Sequence, residues 1–210
     1  MNTRKLIIIG DGAMLDMAVS IAERTRGPGT VHVERIAPQD IATNALSCLD
    51  RINPGATEVF AAIGQNALNY ARFDLWAKLR LQGLRAATLV DTTASVDGLA
   101  RLAENCLIGP CVTVGPNAVL GVGVVVEAGA QIASDSSVGK FVWIGANATL
   151  GSGATVGQHS VIVACTSIAP GVNVGAHCDI ALPALYCNAI AEGTFVSPNF
   201  SQPVRLYRSL

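Results

Sequence analysis

The chain has 210 residues, of which 50% are hydrophobic, 14% charged and 5% aromatic, with a formal net charge of −1. Disordered chains are rich in charge and poor in aliphatic residues, so this composition excludes a disordered chain. The near-neutral charge gives no electrostatic reason to expect a nucleic-acid partner. The longest apolar runs, such as 6–9 and 122–126, are far shorter than the roughly 20 residues of a membrane span, so no membrane association is expected.

The N-terminus is basic and then briefly apolar, and the apolar run stops at Gly10. A signal peptide has an apolar stretch of about 7–15 residues, so we expect a cytoplasmic protein. The six cysteines include no CxxC pair, which argues against a zinc site or a thioredoxin-like motif. Without a secretory signal, we expect small buried thiols rather than disulfides.

The first half of the chain alternates strand and helix patterns. Short apolar runs predict strands at 6–9, 31–36, 58–63 and 87–90. Apolar residues at helical spacing predict helices at 13–25, 38–51 and 65–84. Strands that alternate with helices form βαβ units, so we predict a small α/β domain with a parallel sheet over residues 1–100.

The second half has a six-residue period. Every sixth residue from Ile108 to Ile180 is Ile, Val or Leu, thirteen times without a gap, and a small or slim residue follows four places later. This pattern is typical of a β-solenoid, in which three short strands make one coil and equivalent side chains stack every eighteen residues. We therefore predict a parallel β-helix over 101–196 and a tail over 197–210. Only five charged residues lie between Cys106 and Gly193, which indicates that other subunits cover much of this surface.

The hexapeptide pattern resembles the left-handed parallel β-helix of the hexapeptide-repeat acyltransferases. The first half is similar to the sugar acyltransferases of the sialic acid O-acetyltransferase and UDP-amino-sugar N-acetyltransferase group. Their Gly-x-Gly entry is matched by Ile7–Gly12, their Ile-Gly-x-Asn segment by Ile63–Asn66, and their Ala-Thr-Leu stretch by Ala87–Leu89.

The resemblance implies a Rossmann-like sugar-nucleotide-binding domain followed by a left-handed β-helix, assembled as a homotrimer. It also implies that acyl-CoA binds between adjacent β-helices and that the first domain holds part of a sugar nucleotide. The expected activity is transfer of acetyl from acetyl-CoA to an amino or hydroxyl group of a nucleotide-linked or acidic sugar, in bacterial surface-polysaccharide synthesis. No metal is expected.

The chain departs from the family where the chemistry takes place. The family's general-base histidine belongs to a Glu-His-Asp run, and this chain has Ala133-Ser134-Asp135 in register after Ile132. A second family histidine near the thioester is replaced by Trp143. The alternative function is therefore a non-catalytic, trimeric sugar-nucleotide-binding or scaffold protein that has lost the base.

Imidazole is the natural group for deprotonating an amine or hydroxyl as it attacks a thioester. His159 and His177 lie eighteen residues apart, hence at the same corner of successive coils. We take His159 as the candidate base, with Ser134 and Asp135 as groups that orient substrate or water. The two histidines could also contact substrate, bind a metal or be ordinary exposed corner residues. A metal site, and with it a hydratase resembling the gamma-class carbonic anhydrases, is disfavoured because no third histidine completes a ligand set.

The candidate substrate-binding residues are in the first domain. Gly10, Asp11 and Gly12 could lie against a phosphate or sugar at the start of the first helix. Glu34 stands about twenty residues on, where a ribose-binding acid is expected, and Asn66 belongs to the segment that matches the family. NAD is not expected, because Leu15 stands where the fingerprint needs a third glycine.

The candidate cofactor-binding residues are Trp143, Arg205 and Arg208. The Trp143 ring could stack on an adenine, a sugar face or a neighbouring subunit. The two arginines could pair with CoA phosphates, or could merely keep the C-terminus soluble. A cysteine nucleophile is not expected, because Cys106 and Cys178 fall at slim positions where side chains are confined.

Overall fold

The computed structural model describes residues 5–41, 53–65 and 67–205. The first domain consists, in chain order, of β1 (Lys5–Gly10), α1 (Gly12–Arg26), β2 (Val31–Arg35), a 3-10 turn (Pro38–Asp40), β3 (Thr57–Ala62), α2 (Tyr70–Leu81) and β4 (Arg85–Ala86). The four strands form a parallel sheet in the order β2-β1-β3-β4. The predicted α/β architecture is confirmed for the described residues.

The central strand β1 is apolar throughout because both faces of the sheet are covered. Leu6 and Ile8 pack in a cluster with the buried side of α1. Ile7 and Ile9 point to the other face and pack with residues of α2. Burial on both faces explains why this strand is a continuous aliphatic run rather than an alternating one.

Two predicted boundaries in this domain are wrong. The helix predicted from residue 65 begins only at Tyr70, because Ala67, Leu68 and Asn69 all have positive φ angles of 49–65° and form a left-handed turn. The strand predicted at 87–90 does not belong to this sheet as a whole. The last strand of the sheet, β4, ends at Ala86, and Leu89–Val90 instead pairs with Leu107–Ile108 in the second half of the chain. The helix predicted at 38–51 begins as the 3-10 turn, and its residues 42–51 lie outside the described residues.

From Leu89 the chain winds into a three-sided parallel β-helix of two-residue strands. From Leu89–Val90 to Ser167–Ile168, each strand pairs with the strand eighteen residues later; Val125 is opposite Trp143, for example. The first wall contains β5 (Leu89–Val90), β8 (Leu107–Ile108), β11 (Val125–Val126), β14 (Trp143–Ile144), β17 (Val161–Ile162), β20 (Asp179–Ile180), β22 (Thr194–Val196) and β23 (Val204–Arg205). The second wall contains β6 (Ser95–Val96), β9 (Thr113–Val114), β12 (Gln131–Ile132), β15 (Thr149–Leu150), β18 (Ser167–Ile168) and β21 (Leu185–Tyr186). The third wall contains β7 (Arg101–Leu102), β10 (Val119–Leu120), β13 (Ser137–Val138), β16 (Thr155–Val156) and β19 (Asn173–Val174).

The core of the β-helix is the predicted one. All thirteen aliphatics from Ile108 to Ile180 are at most 2% exposed and form one cluster with the slim residues. The coil begins before the predicted boundary at residue 101, because Val90 and Val96 continue the six-residue spacing and pack against the same cluster. The predicted tail contributes β23, which runs antiparallel to β22.

Each corner of the β-helix contains one residue with a positive φ, at a constant six-residue spacing from Asn105 to His177. This backbone region suits Gly, Asn and Asp, and it is strained for other residues. The corners occupied by other residue types are Cys111, Phe141, His159, Cys165 and His177. Phe141, His159 and His177 share the edge between the third and first walls, which we call the histidine edge.

The first domain packs on the first wall of the β-helix. The outward residues of that wall are apolar in five successive coils and form a single cluster with α1, β1 and β3: Leu89, Leu107, Val125, Trp143 and Val161. The outward residues of the second wall are polar in the corresponding coils, for example Thr113, Gln131 and Thr149. The first domain thus covers the wall whose outward residues are apolar and leaves the polar second wall uncovered.

The cysteines only partly follow the expectation of burial. Cys106 and Cys178 are buried, whereas Cys111, Cys165 and Cys187 are exposed; all five are free thiols. Cys111 and Cys165 are exposed because they occupy corners, where side chains leave the prism. Within the described ranges, neither helix is long and apolar enough to cross a membrane.

Candidate functional site

The strand order of the first domain places a crevice at the carboxyl ends of β1 and β3. The chain passes from β1 to β2 on one side and returns to β3 on the other, and ligands of open α/β sheets bind at such a switch point. Gly10 is required there for packing, because a Cβ on it would lie 1.9 Å from the carbonyl oxygen of Ala62. Gly12 has a φ of +65° and no atom within 4 Å of an added Cβ, so it leaves open space at the start of α1.

The predicted acidic residues lie at the same edge of the sheet. Asp11 precedes α1 without capping it through its side chain, and its carboxylate lies 3.9 Å from the Arg35 guanidinium. The Glu34 carboxylate lies 2.8 Å from Nε2 of His32 on the same strand. The structure therefore brings Gly10, Asp11, Gly12 and Glu34 to one edge, and Asn66 lies outside the described residues.

A cleft of about 430 Å³ separates the loop after β3 from the first wall of the β-helix. Its described lining residues are Gln65, Ala67, Leu68, Val161, Val163, Asp179 and Ala181. Ala67 and Leu68, two of the three consecutive left-handed residues in this loop, store strain at roughly 1–2 kcal/mol each. Strain of this kind persists where surrounding contacts hold it and is common at functional sites.

His159 holds this loop against the β-helix. Its Nδ1 donates a hydrogen bond to the Leu68 carbonyl at 3.1 Å, so Nε2 is the unprotonated nitrogen of the neutral ring. The ring is 7% exposed and stacks on Tyr70, with centroids 4.2 Å apart and an interplanar angle of 12°. Burial lowers the pKa of His159, the Leu68 bond opposes this, and the nearby His177 and Arg72 lower it further. His159 is therefore neutral at pH 7.

A second histidine on this edge lies in a chain of three polar groups. Nε2 of His177 is 3.1 Å from the Tyr70 hydroxyl, and its Nδ1 is 3.4 Å from the Glu192 carboxylate. A carboxylate at Nδ1 favours the tautomer protonated there, so the Tyr70 hydroxyl donates to Nε2. Sequence reasoning missed Tyr70 and Glu192, because Tyr70 belongs to α2 and Glu192 to the segment between β21 and β22.

Ser134 and Asp135 lie on a different edge, between the second and third walls. The Ser134 hydroxyl donates to the Ser152 hydroxyl at 3.3 Å, and Asp135 accepts from the Asn117 amide at 3.0 Å. A groove of about 520 Å³ runs along the second wall beside them. Within one chain the structure therefore places His159 on a different edge from Ser134 and Asp135.

Trp143 lies in the interface between the two domains. It is 7% exposed, and the guanidinium carbon of Arg72 lies 5.4 Å from its ring centroid. Arg72 also donates to the carbonyls of Ile63 and Gly123, each at 3.1 Å, and burial lowers its pKa to about 9, so it remains charged at pH 7. Because one ring face is covered by the guanidinium, the predicted stacking on a cofactor is corrected to a role in domain packing.

Arg205 and the two buried cysteines lie away from the cleft. Arg205 is exposed on β23 and lines a groove of about 430 Å³ at the C-terminal end of the β-helix, and Arg208 lies outside the described residues. Burial raises the pKa of Cys106 to about 12 and also raises that of Cys178, so both thiols are protonated. No group of three His, Cys, Asp or Glu side chains suited to a metal ion occurs in residues 5–41, 53–65 and 67–205.

Comparisons with known proteins identify the repeat and the fold. Residues 135–170 match the family described as bacterial transferase hexapeptide (six repeats). PerB from Caulobacter crescentus, solved in complex with CoA and GDP-perosamine, is 18% identical with a TM-score of 0.78, over 95% of this chain and 96% of that one. The acetyltransferase domain of PglB from Neisseria gonorrhoeae is 20% identical with a TM-score of 0.82, over 96% and 100%. WeeI from Acinetobacter baumannii is 14% identical with a TM-score of 0.55, over 95% and 100%.

No curated protein sequence matches this chain significantly. At these identities the structural likenesses establish the fold, and they extend over nearly the whole of both chains. The family match identifies the six-residue repeat. The resemblance predicted from the sequence is therefore confirmed for the fold and for the repeat. The chain is a hexapeptide-repeat protein with the fold of the sugar acyltransferases, a Rossmann-like domain followed by a left-handed parallel β-helix.

Proposed function

We propose that the protein transfers an acetyl group from acetyl-CoA to an amino or hydroxyl group of a nucleotide-linked sugar. The observation that carries the proposal is the cleft between the switch-point loop and the first wall, which is lined by Leu68, the residue whose carbonyl accepts a hydrogen bond from His159. A sugar held by the first domain would enter this cleft beside Leu68. Two solved structures of the same fold support it: PerB holds CoA and GDP-perosamine, and the PglB domain holds acetyl coenzyme A.

The transfer is a direct attack on the thioester. The acceptor nitrogen or oxygen forms a bond to the acetyl carbonyl carbon, the carbon–sulfur bond breaks, and CoA leaves as a thiolate. The acceptor proton passes to a base and then to the sulfur, which gives free CoA. A covalent enzyme intermediate is not needed, and the protonated thiols of Cys106 and Cys178 are unsuited to forming one.

The histidine edge offers two groups for the proton transfer. Neutral His159 could accept the proton at Nε2. Alternatively, Tyr70 could take the acceptor proton while passing its own to His177, whose charge Glu192 would then balance. Ser134 and Asp135 could join either group only from a second copy of the chain, so the predicted homotrimer is part of this proposal.

For the donor, we propose the groove on the second wall beside Ser134. The outward residues of its strands, such as Thr113, Gln131 and Thr149, are polar and uncharged, which suits the amide-containing arm of CoA, and Asp97 adds one carboxylate to the lining. Arg205, and Arg208 by its sequence position, would be available to the CoA phosphates. The location of the protein in the cytoplasm, where both substrates would be found, stays a prediction.

Kinetics of two variants test the assignment of the site. His159→Ala and Ser134→Ala are assayed for acetyl transfer beside Asp74→Asn, which removes an exposed carboxylate of α2. We expect at least a tenfold loss of rate in one of the first two variants, because general base catalysis contributes about 10²–10⁴-fold. Unchanged rates in both would show that the assignment is wrong.

The second candidate is a sugar-nucleotide-binding protein without catalysis. It is favoured by Ser134 in place of the family's histidine and by the 7% exposure of His159. Thermal shift separates the two, because a ligand that binds only the folded state raises the melting temperature. Stabilisation by a nucleotide sugar, with none by any acyl-CoA, would favour the binding protein.

A further inference from the structure

One residue interrupts the apolar column that faces outward from the first wall. Five successive coils place an apolar side chain there, and the sixth coil places a carboxylate: Leu89, Leu107, Val125, Trp143, Val161 and Asp179. Asp179 pairs directly with Val161 in the ladder. Asp179 therefore lies at the end of the part of the first wall that the first domain covers.

The Asp179 carboxylate is unpartnered in the part of the chain that the structure describes. Among residues 5–41, 53–65 and 67–205, no hydrogen bond or ion pair reaches its side chain, although it is half-buried. Burial raises its pKa, because the ionised form is less well solvated there than in water. A half-buried carboxylate without a partner is complementary to a cation brought by a ligand, because pairing offsets the solvation that partial burial removes.

The surroundings of Asp179 specify where that cation would come from. Asp179 is the one titratable group among the described residues that line the cleft; the rest of the first wall there is apolar, with Val161, Val163 and Ala181. The opposite side is the loop after β3, represented by Gln65 and Leu68. A ligand whose nucleotide lies at the switch point would extend its sugar along this loop toward the carboxylate.

We propose that Asp179 binds the ammonium group of an amino-sugar acceptor in this cleft. The inference rests on the proposed function and narrows the acceptor from an amino or hydroxyl group to an amino group. An ammonium adds the attraction of opposite charges to its hydrogen bond with the carboxylate, which a hydroxyl does not, so the site discriminates against the hydroxyl counterpart. The bound ammonium first gives one proton to water, and the proton that the nitrogen loses on attacking the thioester then passes to the base.

Acceptor profiling of the wild-type protein is the first half of the test. Sugars linked to UDP, GDP and dTDP, each as a 4-amino-6-deoxy sugar and as its 4-hydroxy counterpart, are incubated with acetyl-CoA, and free CoA is measured. The expected result is turnover of amino members only. Turnover of hydroxy members alone would overturn the inference and leave the proposed function standing, whereas no turnover of any member would overturn both.

The second half compares Asp179→Asn with Asp74→Asn on the best amino acceptor. Asparagine has nearly the same shape but no charge, so we expect the KM for the acceptor to rise at least tenfold while the melting temperature stays equal or increases. A structural role for Asp179 would lower the melting temperature instead. Asp74→Asn makes the same change of charge on the exposed face of α2 and should keep the wild-type KM. An unchanged KM in Asp179→Asn, or a lowered melting temperature that accounts for its loss of activity, would overturn the inference.

Discussion

Nδ1 of His159 donates a hydrogen bond to the carbonyl of Leu68, 91 residues earlier in the chain, at 3.1 Å. Leu68 is the middle residue of the left-handed turn that lines the cleft. The bond therefore fixes a strained loop of the first domain to a corner of the β-helix. This bond adds to the shared apolar cluster in fixing the geometry of the cleft between the two domains.

Replacing His159 should loosen that loop. Asparagine suits the backbone at φ +57°, since Asn105 occupies the equivalent corner three coils earlier, so His159→Asn removes the ring without adding strain. We expect it to lower the free energy of unfolding by about 1–3 kcal/mol, from the lost ring stacking and hydrogen bond. Urea denaturation measures the loss, and limited proteolysis should show faster cleavage near residues 65–69. Wild-type protease resistance in this variant would contradict the role of the bond.

The same residue predicts a dependence of stability on pH. Burial lowers the pKa of His159 below its unfolded value of about 6.5, so the folded state binds fewer protons than the unfolded state. Its contribution is fully present above about pH 6.5 and is lost as the pH falls from there toward the folded pKa. Urea denaturation from about pH 7.5 to 5 should show a steeper loss for the wild type than for His159→Asn. Parallel curves would rule out this linkage, because the other titrating groups are common to both proteins.

Most of the β-helix was predictable because its pattern is local. Each inward aliphatic is buried by neighbours six and eighteen residues away, so the spacing alone specifies strand, corner and coil. The predicted start of the coil was too late. Val90 and Val96 continue the six-residue spacing, but the apolar run at 87–90 equally resembles a strand of the α/β sheet. Only the pairing of Leu89 with Leu107 distinguishes the two interpretations.

The site was less predictable because it depends on how the domains meet. The contact between Tyr70 and His177 joins residues 107 apart, and no local pattern encodes it. Two signals were nevertheless present in the sequence. The apolar outward residues at eighteen-residue spacing marked the covered wall. The separation of 25 between Ser134 and His159 is also far from a multiple of eighteen, which places them on different edges.

Two glycines with the same backbone conformation should respond differently to alanine. Gly123 and Gly153 both have a φ of +69°, so alanine should cost about 1–2 kcal/mol at either position. A Cβ at Gly123 would also lie 2.4 Å from the Phe141 ring, whereas one at Gly153 meets no atom within 4 Å. We expect Gly123→Ala to be less stable than Gly153→Ala by a further 1–3 kcal/mol or so, because the ring must move in a packed interface. Equal losses in urea denaturation would mean that Phe141 is free to shift.

The ion pair of Asp91 with Arg24 should stabilise the junction between α1 and the first coil. The Asp91 side chain is 1% exposed and accepts hydrogen bonds from the Arg24 guanidinium and from the hydroxyl and amide of Thr93, at 2.7 and 2.9 Å. Burial alone would raise the pKa of Asp91, but the bonds from Thr93 and Arg24 outweigh it and lower the pKa. Its contribution is therefore present above about pH 3.9 and is lost as the pH falls below that value.

Asp91→Asn should accordingly lower the free energy of unfolding at pH 7 by about 1.5–3 kcal/mol, because a buried, charge-assisted set of bonds becomes neutral. Asp97→Asn is the matched control. The Asp97 carboxylate accepts a hydrogen bond from the backbone amide of Leu99, as Asp91 does from that of Thr93, but Asp97 is exposed. We expect that variant to lose less than about 1 kcal/mol. Urea denaturation of both variants at pH 7 gives the comparison. Similar losses would show that the turn, and not the ion pair with Arg24, stabilises the junction.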